Sequence, residues 1–101
     1  MAAAASAAAG LALPAATASP KMLVGIFDEA HTLYGNPDYA FPVLKSLRAQ
    51  VLRVNLYWGG KFGVAKAKPF QGVDPADPAY DWGIYDRTVR YASAAGVKIL
   101  F

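Results

Sequence analysis

Three short apolar runs, at 22–27, 51–58 and 97–101, alternate with two stretches of helical periodicity, and this alternation constrains the fold more than any other feature. Met22-Leu-Val-Gly-Ile-Phe27 is nearly continuous in apolar side chains, as expected of a strand buried on both faces. In the second run Leu52, Val54, Leu56 and Trp58 fall on one face of an extended chain, and Arg53, Asn55 and Tyr57 fall on the other. Val97-Lys-Ile-Leu-Phe101 is the third. After the turn residues Gly35-Asn36-Pro37-Asp38 a helix is predicted over 41–50, with Pro42 in its first turn and Val43, Leu44 and Leu47 as its buried stripe. A loop over 59–80 leads to a second helix, capped by Asp81 and ended by Gly96. Trp82, Tyr85, Val89 and Ala92 follow its spacing, and Asp86 and Arg90 form an i, i+4 pair.

The order β-α-β-α-β predicts an α/β fold with a parallel sheet and right-handed crossovers, because parallel neighbours need a long return connection. Three such strands leave both sheet edges unpaired and one face uncovered, which matches the first third of a TIM (β/α)8 barrel. On this reading 19–101 is the N-terminal part of a barrel domain, interrupted within the third strand. A doubly wound sheet is the alternative, disfavoured because the first strand runs into Asp28-Glu29-Ala30-His31 rather than a glycine-rich phosphate turn. Gly59-Gly60-Lys61-Phe62-Gly63 follows a strand but lacks the Lys-Ser/Thr ending of a P-loop.

The first 18 residues contain eleven alanines and no charge, and end Ala16-Thr17-Ala18 before Ser19-Pro20, a small-x-small site of the kind cleaved from secreted proteins. A signal peptide and a secreted product are therefore expected, although Met1 is followed directly by alanines rather than by Lys or Arg; an alanine-rich tail is the other reading. This leaves 83 of the 101 residues for a folded body, room for one small core. The absence of cysteine excludes disulfides and thiolate metal sites, and a single histidine excludes any site that needs two imidazoles. Ten Lys and Arg against seven acids, without a basic run, do not imply nucleic acid as a partner. No run of 18 strongly apolar residues occurs, so no membrane span is expected.

Arg53 is the most informative single residue, because an arginine within a buried strand is costly unless a carboxylate or several acceptors meet it. A side chain that snorkels from an edge strand would need no partner. Asn55, Tyr57 and Trp58 lie towards the carboxyl end of the same strand, where parallel α/β folds hold ligands, and the two aromatics can either stack on a sugar ring or serve as core. Asp28 and Glu29 are adjacent on an extended chain and point to opposite faces, so they cannot form a paired-carboxylate acid/base site; Glu29 is also the only glutamate. His31 can bind substrate or polarise a hydroxyl, or simply sit hydrogen-bonded at the surface. Lys61, Lys66 and Lys68 read as a solvated loop face.

Gly25-Ile-Phe-Asp-Glu-Ala-His31, Leu52-Arg-Val-Asn-Leu-Tyr-Trp-Gly59, Asp74-Pro-Ala-Asp-Pro-Ala-Tyr-Asp-Trp82, Tyr85-Asp-Arg87 and Gly96-Val-Lys-Ile-Leu100 together resemble the opening of the clan A, cellulase-type (family 5-like) glycoside hydrolases. The resemblance covers 22–101, and its most specific piece is Arg53 followed by Tyr57-Trp58-Gly59. It implies hydrolysis of O-glycosyl bonds in an oligo- or polysaccharide, with no cofactor and no metal. Arg53 would support the active site by bracing a nucleophilic glutamate, and Asp28, His31, Asn55, Tyr57 and Trp58 would contact substrate. The family's two catalytic glutamates end the fourth and seventh strands, beyond these residues, so the chain by itself is expected to be inactive. Two rival expectations stand beside it: a carbohydrate-binding or scaffold protein on a degenerate barrel, and a small free-standing α/β interaction domain.

Overall fold

A computed structural model describes Leu13 and residues 19–101; the expected signal peptide lies almost wholly outside the described residues. Among the described residues the elements are β1 (Gly25–Phe27), α1 (Pro37–Ser46), β2 (Val51–Arg53), α2 (Gly83–Ala95) and β3 (Lys98–Leu100). The strands form one parallel sheet in the order β1-β2-β3, with Ile26 opposite Leu52 and Leu52 opposite Ile99. Among the described residues no helix is long and apolar enough to cross a membrane.

Phe41 and Leu44 of α1, Ala92 of α2, Leu52, Val54 and Val97 make one buried cluster. Both helices therefore cover the same face of the sheet, the face of Leu52. Sequential strand order with both crossovers on one side means that these three strands wind in a single direction, as in the first units of a barrel and in one half of a doubly wound sheet. The Tyr91 hydroxyl of α2 donates to Asp38 Oδ1 of α1 at 2.6 Å, tying the two helices together. This hydrogen bond, with burial, holds the Tyr91 phenol above its ordinary pKa.

Helix α1 begins four residues earlier than its apolar spacing suggests. Asn36 is its N-cap, accepting from Asp38 N at 3.0 Å, and Pro37 takes the first helical position, where a missing N–H costs nothing. Pro42 thus lies inside the helix, where it removes the bond to the Asp38 carbonyl. The buried stripe is correspondingly Pro37, Ala40, Phe41 and Leu44, while Val43 and Leu47 are exposed. The helix ends where Arg48 adopts φ 57°, a left-handed position more often held by glycine.

Four further expectations are corrected. β1 is exposed along its whole length rather than buried on both faces, because Phe27 lies on the sheet face that neither helix covers and Ile26 lines an open groove. β2 stops at Arg53, and the apolar face expected to run on through Leu56 and Trp58 ends at Val54, the later pair being exposed. Asp81 supports α2 one residue before the cap, its Oδ1 accepting from Gly83 N at 3.0 Å, whereas Trp82 holds the N-cap position; Gly96 closes the helix at φ 70° as expected. Asp86 and Arg90 do not pair: the only ion pair among the described residues is His31–Asp28.

The connection over 59–80 is ordered by a second core of Leu33, Val64, Tyr80 and Tyr85. Val64 N donates to Tyr57 O at 2.9 Å, Ala65 N to Trp58 O at 2.8 Å and Asp81 N to Val64 O at 2.8 Å, so the loop folds back on the end of β2. Gly63 makes this return possible, since a β-carbon there would collide with the Gly59 backbone.

Candidate functional site

The side chains singled out in the sequence gather at the carboxyl ends of β1 and β2, in three separate groups. The first is the turn after β1. Asp28 caps it: one carboxylate oxygen accepts from Thr32 N at 3.1 Å, the other from His31 N at 3.4 Å and pairs with His31 Nδ1 at 3.1 Å. The Thr32 hydroxyl donates back to the Asp28 carbonyl, and Leu33 N and Tyr34 N both donate to Glu29 O. Such a turn orders local backbone whatever else it does. The His31 side chain is 76% exposed, and the Nδ1 contact leaves Nε2 directed away from Asp28. Asp28 and His31 line an open apolar groove of about 320 Å³ with Ile26, Tyr39, Val43 and Leu47, along the outer edge of β1.

The second group surrounds the chain where it leaves β2. Glu29 Oε1 accepts from Asn55 N at 2.7 Å. From the opposite side in sequence, the Tyr85 hydroxyl of α2 donates to Asn55 O at 3.1 Å and accepts from Tyr57 N at 3.3 Å. Asn55 Nδ2 donates to the Tyr57 hydroxyl at 3.3 Å, joining two of the expected substrate contacts. Tyr34 lies close by, and burial, helped by the phenols of Tyr85 and Tyr57 and the carboxylate of Glu29, raises its pKa. Asp28 and Glu29 do diverge as their adjacency requires: one caps its own turn, the other crosses to β2.

Arg53 belongs to neither group. It pairs in register with Phe27 and Leu100, on the sheet face opposite the helices, and its guanidinium sits 5.0 Å from the centre of the Phe27 ring. The burial inferred from its apolar neighbours is absent: Arg53 is exposed, because no layer covers that face, and no carboxylate pairs with it among the described residues.

Trp58 forms the third group. It is 55% exposed and meets Tyr80 edge to face at 4.9 Å, and Tyr80 in turn meets Trp82 at 5.7 Å. Tyr80 is anchored through its hydroxyl to Gly72 O at 2.7 Å. The buried carboxylate of Asp77 organises the surrounding loop, accepting from Gln71 N at 2.8 Å and Ala79 N at 2.9 Å, and these bonds hold its pKa below the ordinary carboxylate value. Arg87 of α2 reaches back to the first turn, donating to Leu33 O at 2.6 Å.

Sequence reasoning missed Glu29, Tyr85 and Asp77 as organising groups. In the sequence Glu29 reads only as half of an adjacent carboxylate pair that cannot share a site, and Tyr85 fits the helix stripe, so neither carries a signal of its role. The turn signal Asp74-Pro-Ala-Asp77-Pro was present, but nothing in it distinguishes a buried carboxylate from an exposed one. Among the described residues no cluster of three His, Cys, Asp or Glu side chains forms a metal centre. No family model, curated protein or solved structure matches this chain.

Proposed function

We propose that this chain forms the first βα units of a TIM-barrel glycoside hydrolase, and that the complete domain hydrolyses O-glycosyl bonds in an oligo- or polysaccharide. The observation that carries the reading is the one-directional parallel sheet with polar and aromatic side chains at its carboxyl ends. A barrel is such a sheet continued until it closes, with helices outside and the reaction at the carboxyl face. In it the Arg53 face becomes the interior, where a guanidinium requires a carboxylate, and a glutamate nucleophile supplies one. Asn55 and Tyr57 offer an amide and a hydroxyl for sugar hydroxyls, and the exposed Trp58 offers a ring for the apolar face of a pyranose. Asp28 and His31 lie at the carboxyl end of the neighbouring strand β1. Export through residues 1–18 belongs to the same reading.

The second reading, a carbohydrate-binding protein without catalysis, draws on the exposure of Trp58 and its rigid seat on Tyr80. Sequencing the reading frame downstream of the Phe101 codon separates the two. The hydrolase reading expects apolar strand runs ending in glutamate at about the fourth and seventh βα units, with the two carboxyls within one cleft. Further βα units lacking either glutamate support the binding protein, and a stop codon immediately after Phe101 in an intact gene removes the hydrolase.

A further inference from the structure

The sequence expects β2 to run to Trp58, yet its ladder ends at Arg53. The last bond to β3 is Val54 N to Leu100 O at 3.1 Å. Beyond it, the Asn55 N–H and carbonyl and the Tyr57 N–H, which a longer strand would give to its neighbours, go to side chains, while the Tyr57 and Trp58 carbonyls accept from the loop N–H groups of Val64 and Ala65. The Asn55 N–H goes to the Glu29 carboxylate, from the end of β1, at 2.7 Å. The Asn55 carbonyl and the Tyr57 N–H go to a single hydroxyl, Tyr85 of α2, at 3.1 and 3.3 Å. Partly buried peptide groups that lose ladder partners require such replacements. One carboxylate and one phenol therefore fix the backbone of both Asn55 and Tyr57, and with it the 3.3 Å contact between their side chains.

We infer that Glu29 and Tyr85 are positioning residues, which aim the Asn55 amide and the Tyr57 hydroxyl at the ligand, and that Glu29 is not the acid, base or nucleophile its chemistry invites. Its role needs an acceptor oxygen and not a negative charge, because its partner is a neutral N–H. The inference rests on the carbohydrate reading for the identity of the ligand, though not for the clamp itself.

The variants are Glu29→Gln, Glu29→Ala and Tyr85→Phe, each made in the product of the complete reading frame. Two measurements are taken on each: hydrogen exchange at the Asn55 and Tyr57 amides, and kcat and KM for carboxymethyl-cellulose. Glu29→Gln keeps an acceptor at nearly the same place, so protection at Asn55 and both kinetic constants stay within about three-fold of the parent. Glu29→Ala exposes the Asn55 amide and raises KM roughly ten-fold with kcat little changed. Tyr85→Phe raises exchange at Tyr57 in particular and moves KM in the same direction. A fall of kcat in Glu29→Gln as large as in Glu29→Ala, with the Asn55 amide still protected, overturns the inference in favour of a chemical role for the charge. Unchanged exchange and unchanged KM in Glu29→Ala overturn it as well. If the parent protein neither binds nor cleaves carboxymethyl-cellulose or any other polymer of a panel of β-glucans, mannan and xylan, the carbohydrate reading fails, and exchange at the two amides alone decides the clamp. If Glu29→Ala does not fold, Glu29→Gln and Tyr85→Phe decide it.

Discussion

The Arg53 guanidinium lies over the Phe27 ring, 5.0 Å from its centre, on the sheet face that neither helix covers. Phe27 gives the charge an aromatic seat worth about 0.5–1 kcal/mol where both remain in water. It cannot neutralise that charge once the face is covered. In the complete domain Arg53→Lys is expected to reduce kcat by roughly 10–100-fold, since lysine keeps the charge but loses the planar fork that orients a carboxylate. Near-parental turnover in a folded Arg53→Lys protein would show that Arg53 does no more than rest on Phe27.

Residues 19–101, expressed alone, are expected to be molten or to self-associate. Phe27, Leu100 and Phe101 each leave more than half of their surface in water, and so do Met22 and Val24 beside them. This apolar surface adjoins two unpaired parallel strand edges, the combination that templates aggregation. Size-exclusion chromatography with thermal unfolding checks this. A monomer with a sharp, reversible transition contradicts it and favours the free-standing interaction domain.

The loop over 69–80 should loosen in acid. The fold lowers the Asp77 pKa through bonds from Gln71 and Ala79, so the ionised form is the one the native state prefers. Its contribution is complete above the unfolded carboxylate value, about 3.9, and is lost as pH falls through the lower native value. Hydrogen exchange at the Gln71 and Ala79 amides, referred to amides of α2, should therefore rise below about pH 4. Asp77→Asn should show raised exchange already at neutral pH. Exchange that tracks the α2 amides throughout would mean that Asp77 does not hold the loop.

Arg48→Gly is expected to stabilise the protein by about 0.5–1 kcal/mol. The position has φ 57°, where a β-carbon is strained by about 1–2 kcal/mol, and glycine removes that strain while losing somewhat more freedom on folding. The unfolding midpoint in urea reports it. A lower midpoint would show that the Arg48 side chain makes a contribution larger than its backbone strain.

The elements were legible where one physical signal dominated. Gly96 marked the end of α2 because a left-handed cap favours glycine, and the parallel order followed from the length of the connections. Element boundaries were less legible. Asn36-Pro37 can open either a turn or a helix, and the choice was settled by Phe41 and Leu44 reaching the sheet. Val51 to Trp58 alternates as a strand throughout, yet Glu29 and Tyr85 intercept its backbone after Arg53, an event that requires partners 26 to 30 residues away. For the same reason Asn55 and Tyr57 could be named as candidates, whereas the side chains that position them could not. The exposure of Arg53 was hidden too, because local apolarity does not report whether a second layer covers the sheet.

The most direct measurement is release of reducing ends from a panel of β-glucans, mannan and xylan by the purified product of the complete reading frame. The account predicts hydrolysis of at least one polymer without added metal or cofactor, abolished when the glutamate ending the fourth or the seventh strand is changed to glutamine. Saccharide binding with no hydrolysis of any polymer would contradict it and leave a carbohydrate-binding protein. Neither binding nor hydrolysis across the panel would remove carbohydrate from the account altogether.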